Sequence, residues 1–512
     1  MPVQDGAPDT GVPLGTRGTA WSPETRLYTD GVAEGADGSP LALPPHSDRL
    51  RIPGTALLDP RWPLEGAAPA DPAAVAARRA GLAAARIPGQ ASRWCDMART
   101  ALIDIRALLF PNGAMVAAAS PHWRYVWPRD ASYCAVALAL CGLRADAVRV
   151  LAYLERVLPH AGPWQARYLP DGSGDAPDDR GVQLDGAGWV LWAAWTVERL
   201  SGDPHLPSPT VAVPPVGGAP TELPVGRDAL ASFPDGAADS LHFRPEEALR
   251  PEGERPGREG AEQVPSADDL AAVERLVPRA LAVVEQSLDP RTRLPRPSPD
   301  YWEKRTDDLT LGTAAPLALG ARAAAALTGD PETAELAAEM EAAVEARFAP
   351  DDYPRTVPRA PDSPTAPTDR VDPADRGGRA GGRDASVAFL LPPFAPARPG
   401  PHAAWLRTLD ALRVSNGGVR PGEDWPDPVT AWTPQVSLFA MAAACLGERT
   451  VAARLLDWLD ARRTRLGALP EKVTAAGRPA AVAPLALTGA CVLAALAALE
   501  GRPPPVPPIP PH

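Results

Sequence analysis

The sequence predicts an all-α protein built as an (α/α)6 barrel, a toroid of six helical hairpins carrying long Pro/Gly-rich insertions. Three observations support this fold class. Apolar residues recur with the helical period of about 3.6 in twelve separate stretches. The connections between these stretches are alternately short and long, and the alternation of apolar and polar residues that is typical of strands is scarce.

The twelve predicted helices share an apolar face and are bounded by Pro, Gly and polar residues. They span residues 92–109, 130–142, 145–158, 184–201, 268–288, 309–328, 331–348, 384–392, 402–413, 432–446, 449–464 and 483–500. We expect them to alternate between an inner and an outer ring. Helices that alternate in direction place the loops before all the even-numbered helices at the same end of the barrel.

Composition divides the chain into a predicted barrel domain, an N-terminal leader, two insertions and a C-terminal tail. Residues 1–90 are rich in Pro, Gly and Asp and predict an irregular or partly β leader, and residues 91–500 form the predicted barrel. Insertions near 203–266 and 350–383 are rich in Pro, Gly and acidic residues, which favours surface segments outside the core. The tail 501–512 has the composition of an extended polyproline segment.

Charge and cysteine content restrict the partners and the compartment. The net charge of −12 argues against nucleic acid or an anionic membrane as the main partner and suits a neutral substrate. The five cysteines are odd in number and lack CxxC spacing, and no signal peptide is visible, so we expect reduced thiols in a cytoplasmic protein. The uncharged segment 479–499 is long enough to span a bilayer but is weakly apolar, which favours a buried helix.

Unusual motifs cluster before the even-numbered helices, whereas the loops before the odd-numbered ones are short and plain. The motifs are WPRD (127–130), QLDG (183–186), YWEKR (301–305), RDAS (383–386), VRPGED (419–424) and LPEK (469–472). By the alternation described above, all six should meet on one rim of the barrel. Convergence of conspicuous polar and aromatic residues from the whole chain predicts a functional site there.

Two glutamates in these motifs suit the chemistry of glycosidic bonds. Hydrolysis of such a bond needs one carboxyl group to protonate the leaving oxygen and another to activate water. Glu303 is flanked by Tyr301 and Trp302, which favours the desolvation that an acid requires. Glu471 follows Pro470 in a stiffened loop and supplies the second carboxyl group.

The motifs WPRD, QLDGAGW, DYWEKR, VRPGED and LPEK, in this order, resemble glycoside hydrolase family 15, the glucoamylase-like enzymes, over about residues 92–500. The resemblance implies an (α/α)6 barrel with Glu303 as general acid and Glu471 as general base. It further implies substrate contacts from Arg129, Asp130, Asp185 and Arg420, and Gln183 and Gly186 match the family's QxDG segment. The chain departs from the family in having no evident starch-binding domain and at most a reduced N-terminal β domain.

Tryptophans and lysines extend the predicted sugar site. An indole face packs against the apolar face of a pyranose, and on this ground Trp127, Trp164 and Trp302 are predicted to contact substrate. Trp189, Trp192 and Trp195, spaced three apart within one helix, are instead predicted to pack the core. The only two lysines of the chain, Lys304 and Lys472, each follow a proposed catalytic glutamate and are predicted to contact substrate or the carboxylates.

Two aspartates have a structural interpretation beside the functional one. Asp130 precedes a helical stretch and is predicted to be its N-cap, a role compatible with substrate binding. Asp384, which follows Arg383 in a similar setting, is predicted to be a cap. The histidines have no metal-ligand spacing and no nucleotide-binding fingerprint occurs, so neither a metal nor a cofactor is expected.

These observations favour an inverting, exo-acting hydrolase that releases glucose from α-linked gluco-oligosaccharides, with a small carbohydrate as its partner and no indicated oligomeric state. An α,α-trehalase of the same family is the nearest alternative. A non-catalytic sugar-binding protein is another, as is a phosphorolytic or epimerising enzyme on the same barrel. The pair of carboxyl groups in context argues against a non-catalytic protein. The motif loops contain no histidine except His122, which argues against an epimerase, and phosphate dependence would identify a phosphorolytic enzyme.

Overall fold

The computed structural model describes residues 26–46, 48, 50–159, 162–201, 264–358 and 381–508. Most of the predicted insertions 203–266 and 350–383, the start of the leader and the last four residues of the tail lie outside the described residues.

Helices dominate the described residues, which confirms the all-α prediction. They are α1 (Pro72–Ala83), α2 (Cys95–Leu108), α3 (Pro128–Leu140), α4 (Arg144–Val157), α5 (Asp185–Ser201), α6 (Ala267–Ser287), α7 (Leu311–Thr328), α8 (Pro331–Phe348), α9 (Pro399–Ala411), α10 (Thr433–Leu446), α11 (Arg449–Asp460) and α12 (Ala486–Leu499). Two differences from the sequence prediction stand out. The segment predicted as helix 384–392 is a 3-10 helix, Ala385–Leu390, and α1 lies in the leader where no helix was predicted.

The helices form two rings. Contacts run from α3 to α5 and α7, on to the 3-10 helix, then to α10 and α12, and they return from α12 to α3. Helices α4, α6, α8, α9 and α11 lie outside this series, each against one or two of its members, and α2 packs on α12. This is the arrangement expected of six helical hairpins, with the first-named series as the inner ring.

Inner helices are buried on nearly all sides, and small residues let them approach closely. In α12 twelve of fourteen residues are buried, which explains the uncharged, Ala-rich segment noted in the sequence. No helix among the described residues has the length and apolar character needed to cross a membrane. Where α5 meets α7, a Cβ atom added at Gly188 would lie 1.9 Å from the carbonyl oxygen of Pro316, so only glycine fits.

Short strands connect the leader to the rim of the barrel. Strands β1 (Gly31–Glu34) and β2 (Pro40–Leu43) form a hairpin, and β3 (Leu309–Thr310) pairs with β4 (Thr356–Val357). A three-stranded antiparallel sheet has the order β5 (Ala431–Trp432), β6 (Lys472–Val473), β7 (Pro479–Ala480). Because Trp432 pairs with Lys472 in this sheet, the loop before α12 is fixed directly beside the start of α10.

Candidate active site

Hydrogen bonds join the motif loops at one rim, as the alternation of helices predicted. The segment before α3 bonds to the loop before α7 through Trp127 and Glu303, and to the loop before α12 through Trp123 and Glu471. The loop before α10 is joined to the 3-10 helix by a bridge between Asp384 and Gly422.

Glu303 lies in a turn just before α7 with both carboxylate oxygens engaged. Its Oε1 accepts a hydrogen bond from Trp127 Nε1 at 2.5 Å, and its Oε2 forms an ion pair with Arg180. The side chain is 16% exposed and is therefore mostly, but not fully, shielded from solvent. Sequence reasoning expected an apolar setting that would keep this carboxyl group protonated, whereas the observed partners favour the carboxylate.

Glu471 is held by the strands beside α12. Its backbone N–H donates to Val482 O at 2.8 Å, and its carbonyl oxygen accepts from Thr433 N at 2.9 Å. Its Oε1 accepts a hydrogen bond from Trp123 Nε1 at 3.3 Å. The backbone on both sides is therefore fixed, and the carboxylate extends from a rigid base.

One short segment therefore supports both glutamates. Trp123 ends a 3-10 turn, Pro121–Trp123, and Trp127 directly precedes α3. The two tryptophans are four residues apart, which spans at most about 14 Å of extended chain. Because each indole N–H binds one of the two glutamates, this segment links the loop that carries Glu303 to the loop that carries Glu471.

Arg129 lies at the start of α3 among buried acids. Its Nη1 is 3.2 Å from Asp185 Oδ2 and 3.4 Å from Gln183 Oε1, and its Nε is 3.4 Å from Asp130 Oδ2. Burial raises the pKa of Asp130 and of Asp185, and the Arg129 charge opposes both shifts. Asp185 is 2% exposed and also accepts from Trp189 Nε1, so it positions Arg129 and does not itself reach the cleft.

Of the two capping predictions, the one for Asp130 is wrong and the one for Asp384 is confirmed. The N-cap of α3 is Trp127, which has no side-chain cap bond, and Asp130 lies inside the first turn. Capping by Asp130 is therefore wrong, although an acid in the first turn is still favoured by the helix dipole. Asp384 does cap the 3-10 helix, accepting from Ser386 N at 2.9 Å.

A buried polar network lies under the turn that carries Glu303. Tyr301 OH donates to Asp384 Oδ1 at 2.8 Å and Trp302 Nε1 donates to Asp384 Oδ2 at 3.0 Å. Asp300 accepts from the backbone N–H of Trp302 at 3.0 Å and from Arg355 at 2.8 Å. Burial, together with the nearby Asp300 charge, raises the pKa of Asp384 to about 6. The network fixes the orientation of Trp302, so that its N–H faces inward and one ring edge faces the rim.

Both lysines of the chain lie on one ladder of indoles, which consists of Trp302, Trp425 and Trp432. Neighbouring rings meet edge to face, with centroids 4.8 Å apart between Trp302 and Trp425 and 5.0 Å apart between Trp425 and Trp432. Lys304 Nζ is 5.1 Å from the Trp425 centroid, and Lys472 Nζ is 4.2 Å from that of Trp432. Lys304 is exposed and Lys472 is buried.

The remaining predicted contacts differ in their access to the cleft. Arg420 is partly buried, and its Nε has no hydrogen-bond partner among the described residues. Trp164 is fully buried, and its indole N–H donates to Leu154 O at 3.4 Å. A substrate contact from Trp164 is therefore wrong in this structure, because the ring packs inside the barrel wall. Trp189 and Trp192 are also fully enclosed, as predicted for the core.

No group of three or more His, Cys, Asp or Glu side chains with metal-binding geometry occurs in the described part of the chain. The five cysteines are free thiols, of which Cys134, Cys141 and Cys491 are buried.

Sequence comparison identifies a family over part of the barrel. The sequence model for Glycosyl hydrolases family 15 matches residues 97–161, which include α2, α3 and α4. An uncharacterized glycosyl hydrolase of Methanocaldococcus jannaschii is 34% identical over 110 residues. This match covers 21% of the present chain and spans 17% of that relative's length.

Solved structures share the fold over most of the chain. A glycosidase variant solved in complex with glucose aligns with a TM-score of 0.53 at 19% identity, covering 80% of this chain and 97% of the other. A bacterial glucoamylase complexed with acarbose aligns with a TM-score of 0.52 at 13% identity, covering 85% of this chain and 59% of the other. At these identities the likeness establishes the fold alone, and the fold is that of the predicted barrel class.

Proposed function

We propose, from the match of residues 97–161 to the model for Glycosyl hydrolases family 15, that this protein is an inverting, exo-acting hydrolase that releases glucose from α-linked gluco-oligosaccharides. The observation that carries the proposal is the pair of indole N–H donors, Trp123 and Trp127, four residues apart, that bind the two proposed catalytic carboxylates. The glucose and acarbose bound to structural neighbours support a glucoside as substrate.

Glu303 is the proposed general acid. It must give a proton to the glycosidic oxygen as the bond to the anomeric carbon breaks. Its two present partners, Trp127 and Arg180, stabilise the ionised carboxylate. Protonation therefore requires one of these contacts to open.

Glu471 is the proposed general base. In an inverting reaction it removes a proton from the water that attacks the anomeric carbon on the face opposite the leaving group. Its carbonyl oxygen accepts from Thr433 N at the start of α10 and its N–H donates to Val482 O, so its backbone is fixed on both sides. This rigidity favours activation of a water molecule over formation of a covalent glycosyl-enzyme.

Arg129, Asp130 and Arg420 are the proposed ligands of the terminal glucose. Buried charged groups are costly unless they are paired or hydrogen-bonded. The Arg420 Nε lacks a partner among the described residues, and Asp130 Oδ2 has only the ion pair with Arg129. Hydroxyl groups of a sugar would satisfy these atoms. A glucose held at its terminal hydroxyl groups by these residues would be the end of a chain, which is the basis of the proposed exo action. A cytoplasmic location is proposed with it, on the basis of the five free thiols.

The test is a substrate panel of maltose, isomaltose, trehalose and dextrin, with and without inorganic phosphate, read by proton NMR in the first minutes of reaction. We expect phosphate-independent release of β-glucose from one or more α-linked gluco-oligosaccharides. Initial α-glucose would overturn inversion, exclusive cleavage of trehalose would assign the trehalase alternative, and a phosphate requirement would assign a phosphorolytic enzyme.

The Glu303→Gln variant is the matched control for this panel. It keeps the size of the side chain and its bond from Trp127 but cannot donate a carboxyl proton. General acid catalysis contributes about 10²–10⁴-fold, so hydrolysis of the natural sugars should fall by that factor. Glucosides with activated leaving groups should be affected much less.

A further inference from the structure

The segment that follows α4 folds back over the proposed acid. Backbone bonds between Ala166 and Gly181 close it into a loop, and Arg180 near its end reaches Glu303. Asp178 lies between two arginines of this loop, with Arg167 on one side and Arg180 on the other. We call residues 178–180 the arm.

The two arginines differ in how firmly they are held. The Arg167 side chain is 9% exposed, and its guanidinium lies 4.5 Å from the centroid of Tyr125 and 5.0 Å from that of Trp127. It also donates to His122 O at 3.3 Å. The Arg180 side chain is 41% exposed, and Asp178 and Glu303 are its ion-pair partners in the described residues. Arg167 therefore anchors the arm, and Arg180 is its movable end.

Both oxygens of Glu303 face donors in this structure, so neither can carry a proton to a substrate oxygen until one donor leaves. Trp127 is 7% exposed and fixed at the start of α3. Arg180 is more exposed and already touches a second carboxylate, Asp178, which can retain it. The donor that leaves is therefore Arg180.

We propose that Arg180 is a positioning residue that pairs with the general acid in the free enzyme and is displaced when the leaving-group sugar binds. This inference rests on the proposed function of Glu303. The ion pair keeps the acid ionised and correctly oriented while the site is empty. Its opening on substrate binding couples protonation of the acid to the presence of a sugar.

Among the charged groups around Glu303, Arg180 is the one that pairs with its carboxylate directly and therefore affects its protonation most. On the same loop, Lys304 points to solvent against Trp425, and Asp300 is fully buried and paired with Arg355. Across the site, Trp127 contributes a neutral donor, with Arg167 behind its ring. Asp178 on the arm pairs with Arg167 and Arg180, and Arg180 is the residue that links it to Glu303.

The sign of the pH effect follows from this arrangement. A general acid must be protonated, so activity falls as the pH rises through its titration. A neighbouring cation lowers the pH at which this happens. Removing Arg180 should therefore move the basic limb of the profile to higher pH and leave the acidic limb, which reports the base, in place.

The experiment compares the pH dependence of kcat/KM on the preferred panel substrate for the wild type and Arg180→Gln, because this ratio reports the free enzyme. The basic limb should move up by about one pH unit, as an ion pair of this kind commonly shifts a carboxyl group by one to three units. Below that limb the two enzymes should agree within about two-fold. Arg199→Gln, which removes an equal charge from the exposed end of α5, should leave the profile unchanged.

A second measurement does not depend on turnover. Carbodiimide coupling to an amine labels protonated carboxyl groups, and mass spectrometry of the peptide that contains Glu303 reads the label across pH. In Arg180→Gln the labelling should persist to higher pH than in the wild type. Unchanged labelling, or a uniform loss of kcat/KM without a shifted limb, would overturn the proposal. A wild type that cleaves none of the panel while the labelling shifts would instead refute the proposed function.

Discussion

The residue with the most constrained backbone at the site is Glu303, whose φ is +56°. A non-glycine residue in the left-handed region costs of order 1–3 kcal/mol and persists only where its surroundings enforce it. Here Glu303 N donates to Asp300 O at 2.8 Å, and the adjoining Trp302 is fixed by its bond to Asp384. The strained turn directs the carboxylate toward Trp127 and is the kind of backbone outlier that clusters at active sites.

At the same scale, the two lysines give a test of the indole ladder. Lys472 is buried against Trp432, where a planar guanidinium cannot replace a compact ammonium without moving its neighbours. We expect Lys472→Arg to lower kcat/KM by roughly three- to thirty-fold, the equivalent of a cation–π contact of about 0.5–2 kcal/mol. Lys304→Arg should have less than a three-fold effect, because the Lys304 side chain is exposed.

Melting temperatures of both variants separate a kinetic role from a structural one. The reverse change at an exposed position, Arg199→Lys, serves as the control. If Lys472→Arg leaves the kinetics intact, the coincidence of both lysines with the glutamates has no functional meaning.

The sequence alone could identify a site residue where the adjacent residues indicate its role. Glu303 stood out because of its aromatic neighbours, whereas Glu471 was assigned through the resemblance of its motif to the family. Trp123 and Arg180 did not, because their partners are far along the chain, 348 residues away in the case of Trp123 and Glu471. Trp164 was misjudged for the same reason, since a tryptophan beside a motif can face either the cleft or the wall.

At the scale of the element, the crossing of α5 and α7 sets how closely the inner ring can pack. A Cβ atom at Gly188 would overlap Pro316 O, and one at Gly320 would lie 2.6 Å from Gly188 Cα. Gly188→Ala should destabilise the protein by about 1–3 kcal/mol, as overpacking of a core usually does. Its melting temperature should fall, and expression of folded protein should decrease.

Gly489→Ala in α12 is the matched control for that change. Its added methyl group would lie 3.5 Å from Ile105, which is ordinary contact. Replacing glycine by alanine inside a helix favours the helix by roughly 0.5–1 kcal/mol, so this variant should be as stable as the wild type or more so. Equal melting temperatures for the two variants would mean that the crossing tolerates a side chain.

Helical periodicity predicted the barrel helices because each has one face in the core. It missed α1 because the surrounding leader is rich in Pro and Gly, although Asp71 and Pro72 form a recognisable helix start and Asp71 does cap the helix. The segment 384–392 became a 3-10 helix because Pro392 and Pro393 follow closely and leave no room for further α-helical turns. Contacts between loops that are far apart in the sequence leave no periodic pattern, so periodicity could not predict them.

At the scale of the whole molecule, the start of the described chain meets the segment just after β7, which also binds the backbone of the proposed base. Tyr28 N donates to Ala481 O at 2.6 Å, and Ala483 N donates to Thr29 Oγ1 at 3.2 Å. Within the stretch that these bonds fix, Val482 O accepts from Glu471 N. The leader is therefore part of the support of the active site and not merely an addition to the barrel.

Tyr28 connects this support to the chemistry, because its ring centroid lies 5.7 Å from that of Trp123, whose N–H holds Glu471. Tyr28→Ala should leave Trp123 free to reorient and displace the base, and a misplacement of about 1 Å can cost up to 10²-fold in rate. We expect kcat to fall between about ten- and a hundred-fold, with KM and the melting temperature changing little. Tyr28→Phe keeps the ring and should behave like the wild type. If Tyr28→Ala retains full kcat, Trp123 does not need the leader. If both variants lose activity equally, the Tyr28 hydroxyl and not the ring stacking supports the base.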